Sequence, residues 1–329
     1  MKHHFGDLLD RGGDYWSFVP NAERYAYQIG DVQAAQKGVS ILTVTKTDKN
    51  WELLSTLPNL EELTLHEPSA EQLQHVSTLW RLKRLRITHA RPKNVEFVSR
   101  LHGLEELILE YVSGFDDLGP IGGLPRLRSL HLENLRRVSD FSGLSSAKSL
   151  QYLFIAGTLD WKQPVQNFDF LGELENLEIL KLGGFGDVRS LAEYPALLPL
   201  TRLRKLKKIW IPSNTFQMEE YALLEAAFPD LEGATFDPCK PWFRYNPLPK
   251  DDIRQKLSAE DIEAHHSDVR ILPSGNRELL DPSRSEYWLI GKGARAVPFT
   301  SKKAGEKCEA HRAKYEQAKL DARNLLASV

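Results

Sequence analysis

The chain holds 329 residues, with 43 Lys and Arg against 45 Asp and Glu and a formal charge of −2. That balance excludes a protein drawn as a whole to nucleic acid or to an anionic membrane surface, while 41% hydrophobic residues suffice for a packed core. Two cysteines, Cys239 and Cys308, exclude a multi-disulfide framework, and no apolar run approaches the roughly 18 residues that span a bilayer. The N-terminus, MKHHFGDLLDRGGDYW, has no apolar signal core, so a cytoplasmic location is expected.

Residues 1–38 precede a repeating region and are expected to cap it, because a bare first repeat would expose the edge of its core. Tyr15, Trp16, Phe18 and Val19 are the expected plug. Pro20-Asn21 opens a short helix toward Gly30 with Asn21 as its N-cap, and Asp31 caps a second ending at Gly38. Val39, Leu42 and Val44 then give a first, degenerate strand row.

Over residues 57–155 one phrase recurs five times, as LPNLEELTL, LWRLKRLRI, LHGLEELIL, LPRLRSLHL and SAKSLQYLFI. The residues that open its terminal L-x-L are Leu63, Leu85, Leu107, Leu130 and Leu153, in steps of 22, 22, 23 and 23. The alternation puts two leucines on one face of a short strand, toward the core. Upstream, apolar residues recur every third position, as in Val95, Val98, Leu101, Leu104 and Leu107. That spacing suits 3₁₀ turns better than a 3.6-residue helix. Each repeat is thus a strand, a loop and a tight convex segment, and only stacking buries its leucines.

After Leu153 the period loosens, with rows at Leu180, Ile209 and Ala234 in steps of 27, 29 and 25, making nine candidate strands. The added residues fall around 157–167 and 183–200, on loops expected to rim a binding face. Residues 215–228 read as a helix before the last row, stopped by Pro229. From Pro238 the repeat is lost. A short helix opening at Ser258, a hairpin of 287–290 with 294–299, and a helix over 301–326 are expected there. The domain reading is a cap over 1–38, a solenoid over 39–237 and a small α+β region over 238–329.

The repeated phrase resembles the 22-residue leucine-rich repeat of bacterial internalins and related intracellular regulators, over residues 39–237. The resemblance implies an α/β solenoid with a parallel sheet on its concave face and short 3₁₀ or α segments on its convex face. It also implies protein binding on the concave face, and no catalysis. One feature departs from the family, which places Asn eight residues after the first leucine of L-x-x-L-x-L to bridge adjacent turns. Here Pro68, Ala90, Val112, Leu135, Thr158 and Phe185 stand at that place, and only Asn214 fits.

The residue after the first leucine of each row runs Glu61, Lys83, Glu105, Arg128, Gln151, Glu178, Lys207, Glu232. Alternating signs on neighbouring strands read as a ladder that fixes register and neutralises any basic groove. The outward residue of L-x-L runs Thr43, Thr64, Arg86, Ile108, His131, Phe154, Lys181, Trp210, Thr235. Flanking outward slots add Arg84, Tyr152, Ile179 and Lys208. Exposed aromatics rimmed by basic groups have the composition of an interface hot spot. Arg84, Arg86, Ile108, His131, Tyr152, Phe154, Ile179, Lys181, Lys208 and Trp210 are therefore expected to bind a partner protein, unless the C-terminal region folds back over them.

No G-x-S-x-G, P-loop, H-E-x-x-H or calcium loop occurs. Gly183-Gly184-Phe185-Gly186 follows a repeat strand instead of opening a βαβ helix. His3-His4 and His265-His266 lack further ligands at metal spacing, so no cofactor and no metal are expected. In the last helix Ala304, Cys308, His311, Tyr315, Ala318, Ala322 and Leu325 form a seam of mostly small residues. Docking on its own body is favoured over dimerisation, hence a monomer. Residues 287–329 hold nine Lys and Arg against four Asp and Glu, the one foothold for nucleic acid. The expected function is a non-enzymatic, cytoplasmic, bacterial protein-recognition scaffold that inhibits or regulates its partner. The alternatives are nucleic-acid association through the basic C-terminus, an immunity protein that neutralises a toxin, and an enzyme seated in the C-terminal region.

Overall fold

The computed structural model describes residues 28–184, 186–232 and 236–328. The expected plug at 15–19, the Asn21-capped helix and the ninth row at Ala234 lie outside the described residues. Two compact units emerge, residues up to Thr215 with Ala227–Ala234, and Phe216–Ala226 with Thr235–Val329.

The first unit is built on one parallel sheet whose strands follow sequence order. They are β1 (Ile41–Thr45), β2 (Glu62–His66), β3 (Arg84–Thr88), β4 (Glu106–Glu110), β5 (Ser129–Glu133) and β6 (Tyr152–Ala156). Past a short added strand β7 (Gln163–Val165) comes β8 (Ile179–Leu182), and past β9 (Val188–Ser190) comes β10 (Lys208–Trp210). The repeats pair in phase, with Leu63, Leu85, Leu107, Leu130, Leu153, Leu180 and Ile209 in one line of register. Leu63, Leu65, Leu85, Leu107, Leu109, Leu130, Leu132, Leu153 and Leu180 have no exposed surface. Stacking is what buries them, since a lone strand could cover neither face.

The period of three holds on the other side of each turn. Val95, Val98, Leu101 and Leu104 are wholly buried, as are Leu144, Ala147 and Leu150 one turn later but one. Most of these segments are single 3₁₀ stretches, at Trp51–Thr56, Glu96–Val98, Ser142–Ser146, Asp169–Glu173 and Leu198–Arg202. A true α-helix, α1 (Ala70–Val76), forms where Ser69 and Gln72 make a reciprocal capping box, and one α turn, α2 (Gly119–Gly122), follows later. A side-chain ladder runs along this edge. The carboxamide or carboxylate oxygens of Asn94, Asp117, Asp140 and Asn167 each accept from the backbone N–H two residues on, at 2.7–3.2 Å. These caps are local to each turn, and none of them spans two turns as the family's Asn does.

Each strand from β2 to β5 is followed by a left-handed residue, Glu67, His89, Tyr111 and Asn134, with φ between 49° and 58°. Its N–H donates to a carbonyl of the next row, as from Glu67 to Thr88 at 2.9 Å and from Tyr111 to Glu133 at 2.9 Å. The expected charge ladder is present at the opposite strand ends. Lys83 meets Glu61 at 2.6 Å, Arg128 lies 3.9 Å from Glu105 and donates to Gln151 at 3.1 Å, and Lys207 meets Glu178 at 2.6 Å. These groups are partly in water, so they set register more than stability.

The two long spacers are not free loops. Their strands β7 and β9 pair in parallel, Pro164 opposite Arg189. The approach needs glycine, because a Cβ on Gly186 would lie 2.2 Å from the Thr158 backbone nitrogen and one on Gly157 2.0 Å from the Trp161 oxygen. Buried Gln163 fastens the pair to the preceding turn, accepting from Leu135 N at 3.0 Å and donating to Val138 O at 2.7 Å. Near the start of the unit a 3₁₀ turn covers only Ile29–Asp31. The expected helix to Gly38 is absent, and left-handed Ala35, φ 59°, interrupts that stretch.

In the second unit α3 (Met218–Ala227) precedes β11 (Cys239–Trp242) and β12 (Tyr245–Pro247). Then come α4 (Ala259–His265), β13 (Val269–Ile271), β14 (Arg277–Leu280), β15 (Glu286–Leu289), β16 (Val297–Pro298) and α5 (Ala304–Ala327). The strands form two antiparallel sheets, β11-β15-β16 and β12-β14-β13. Ser258 caps α4 by accepting from Asp261 N at 3.0 Å, and the expected hairpin is β15 with β16, Tyr287 opposite Val297. The seam of α5 is buried within its own unit. Cys308 is disulfide-bonded to Cys239, Tyr315 Oη donates to Glu225 at 2.7 Å, and Lys319 Nζ pairs with Glu225 at 2.9 Å.

Candidate functional site

Because the strands pair in register, one outward slot recurs along the sheet and lines up Ile108, His131, Phe154, Lys181 and Trp210. The side chains touch in sequence. The His131 ring meets Phe154 edge-on with centroids 4.2 Å apart, and Lys181 Nζ lies 4.6 Å from the Phe154 ring centre and 5.1 Å from that of Trp210. Each cation–ring contact contributes on the order of 1 kcal/mol where water is partly excluded. The neighbouring slot carries Tyr152 opposite Ile179, then Lys208.

These slots were expected to be exposed, and the structure corrects that for six of the ten residues. Tyr152, Arg86, Ile179, Ile108, Phe154 and Lys208 keep only 2–7% of their surface. His131, Lys181, Trp210 and Arg84 retain intermediate exposure. The physical reason is lateral packing. Rows about 4.8 Å apart place large side chains flank to flank, so Phe154 is walled by His131 and Lys181 and by Gly184, whose Cα side lies against its ring edge. Tyr152, Phe154, Ala156 and Ile179 form a small apolar core of their own on this face. Alternation in a strand keeps a residue out of one core without keeping it in water.

Burial sets the electrostatics. It lowers the Lys181 ammonium below its usual range, with the Glu133 carboxylate pulling the other way. It raises the Tyr152 hydroxyl well above the ordinary phenol value. The basic residues at the other end are already engaged. Arg86 clamps Glu110 through two hydrogen bonds, of 3.0 and 2.6 Å, and Arg84 sits between Glu62 at 2.7 Å and Glu106 at 3.4 Å. Lys208 meets Glu232 at 2.6 Å. Arg84, Arg86 and Lys208 therefore balance carboxylates of the same unit, while Lys181 lies between the Phe154 and Trp210 rings.

Glu110, His131 and Glu133 bring ligand atoms within 4.8 Å of one another, a spacing that could hold a metal ion. His131 Nε2 is buried without a hydrogen bond and lies 3.5 Å from Glu133. Both Glu110 oxygens, however, receive the Arg86 guanidinium, which a cation would have to displace. Of the glycines after β8, Gly186 serves the spacer crossing, while Gly184 lies against the Phe154 ring. Among the described residues no helix is long and apolar enough to cross a membrane.

No protein-family model matches the chain, and no curated protein sequence matches it significantly. Solved structures do. Internalin C2 of Listeria monocytogenes is 21% identical, covering 53% of this chain and 70% of its own, with a TM-score of 0.37. The internalin InlF of the same organism is 17% identical, covering 59% and 70%, with a TM-score of 0.31. TLR13, solved as a complex with ssRNA13, is 17% identical over 60% of this chain and 32% of its own, with a TM-score of 0.35. With its in-phase rows and eight-stranded parallel sheet, the first unit is a leucine-rich repeat solenoid.

Proposed function

We propose that the chain is a non-enzymatic protein-recognition scaffold, and that its partner is held on the outward face of the solenoid sheet around Trp210, Lys181 and His131. The observation that supports this reading most is the unbroken row His131–Phe154–Lys181–Trp210. Its partly exposed ends rest on an apolar layer of Tyr152, Phe154 and Ile179. Pre-packed aromatic anchors lose little conformational entropy on binding, which is how interface hot spots work. Ile108, Arg84, Arg86 and Lys208 support the layer and its charge balance. Inhibition or neutralisation of the partner, a cytoplasmic setting and a monomeric state belong to this proposal. In a reducing cytoplasm Cys239 and Cys308 would stand as thiols.

Affinity capture from lysate with and without nuclease, followed by Trp210→Ala and Lys181→Glu, tests the proposal. A protein recovered by the wild type in both conditions, and lost with Trp210→Ala at unchanged melting temperature, is the expected result. Retention of the same partner by Trp210→Ala and by Lys181→Glu would move the binding face elsewhere.

A further inference from the structure

The second unit presents a surface that the solenoid reading does not use. In β11, Cys239 is buried, so the alternate residues Lys240 and Trp242 face the other way. Across β15 they stand opposite Trp288 and Glu286. Trp242 and Trp288 stack nearly parallel, centroids 4.2 Å apart at 8°, yet keep 37% and 38% of their surface in water. Two residues on, the Arg244 guanidinium lies 5.6 Å from the Trp242 ring centre. Lys240 and Arg244 are exposed, and among the described residues neither has a carboxylate partner. Glu286, opposite Trp242 on the same face, accepts from Trp288 Nε1 at 2.7 Å.

The strip therefore alternates cation, indole, cation along one strand, with a second indole beside it. We propose that it binds single-stranded nucleic acid without sequence preference, bases stacking on the Trp242–Trp288 pair and flanking phosphates held by Lys240 and Arg244. Charge complementarity and the indole surface select the occupant together. An acidic peptide would satisfy the two cations and leave the indoles in water. A neutral glycan would cover the indoles and leave the cations without counter-charge. A strand of planar bases on a phosphate backbone uses both, because every base has a face to stack and every linkage a charge. The footprint is short.

Fluorescence anisotropy of the full chain with a labelled oligothymidylate of about twelve nucleotides, and with a labelled polyglutamate of equal length, tests the proposal across a salt series. The oligothymidylate is expected to bind at low salt and the polyglutamate to bind far more weakly. Two phosphate contacts give a slope of log K against log salt near about −1.4. Lys240→Ala/Arg244→Ala should bring that slope toward zero. Trp288→Ala should weaken binding about tenfold at an unchanged slope. Because Lys240 and Arg244 are exposed side chains, their double variant is read even where Trp288→Ala lowers stability. No oligothymidylate binding at low salt, or binding by both variants as tight as that of the wild type, overturns the proposal. So does polyglutamate binding as tight as that of the oligonucleotide, which would make the strip an acidic-peptide site.

Discussion

Breaking the Cys239–Cys308 bond should loosen the second unit and leave the solenoid as it was. The bond joins residues 69 apart and ties β11 to the first turns of α5. A crosslink closing a loop of that length removes about 15 cal/mol/K from the unfolded chain, or about 4 kcal/mol at 25 °C. One apolar cluster of the unit is only Leu248, Ile262 and Val269, with Leu257 and Leu279 packed against it, and small cores are marginal. Since every 1.4 kcal/mol is a factor of ten, reduction should speed amide exchange in α5 by up to about a thousandfold. Amides of β4 and β5, in the other unit, should keep their protection. The assay is hydrogen exchange by mass spectrometry on oxidised and reduced chain, with thiol titration proving that reduction was complete. Equal protection of residues 304–327 in the two states would refute the reasoning; the crosslink would then add nothing that packing around Tyr315 does not already supply.

Further outcomes can be stated from the same structure. Leu107→Ala, at a fully buried position, should cost about 2–5 kcal/mol in denaturant unfolding, whereas Glu105→Ala should cost less than about 1 kcal/mol; coincident midpoints would contradict the inward and outward assignment. Glu110→Gln leaves the Arg86 guanidinium buried against a neutral group and should cost about 3–5 kcal/mol, with the joint Arg86→Met/Glu110→Leu variant milder than the single one; a single variant milder than the double would show the clamp to be unimportant. Burial, the larger cause, holds the His66 and His75 imidazoles below their ordinary value. The unfolded chain therefore takes up protons first, and stability should fall as pH drops through the ordinary histidine range. His66→Gln/His75→Gln should flatten the decline in melting temperature between about pH 7 and pH 5, and an unchanged slope would assign it to other groups. Gly186→Ala should split β7 from β9, seen as lost amide protection in 163–165 and 188–190.

The solenoid was legible because its code is redundant. L-x-L alternation, a three-residue period and a near-constant step each point to the same stacked turns, so the strand rows and the charge ladder could be placed residue by residue. The interior of the spacers was not legible. Nothing in the sequence marks Gln163 as a buried tether or Gly157 and Gly186 as a close crossing; those meanings arise only when 157–167 meets 183–190. A signal did exist for the turn caps, since Asn94, Asp117, Asp140 and Asn167 recur at nearly the repeat spacing. The family's bridging Asn would stand a few residues earlier, at Pro68, Ala90 and Val112, and is a different device. The outward row was placed correctly in register but misjudged in exposure, because alternation decides which face a side chain leaves by, and its neighbours decide how much water reaches it. Pairing of the two cysteines follows from the approach of β11 to α5, which no local pattern encodes.

The spacer ladder changes how the solenoid should breathe. In a stack of plain repeats each interface is of similar strength, and opening can begin anywhere. Here β7, β9 and the Gln163 tether add backbone and side-chain hydrogen bonds to the interfaces that join β5, β6 and β8. These rows are thereby tied to one another outside the main sheet as well as within it, so opening among β5, β6 and β8 has to break both sets of bonds. The row His131–Phe154–Lys181 sits on this doubly tied stretch, so its side chains keep their mutual contacts until the spacer pairing opens as well.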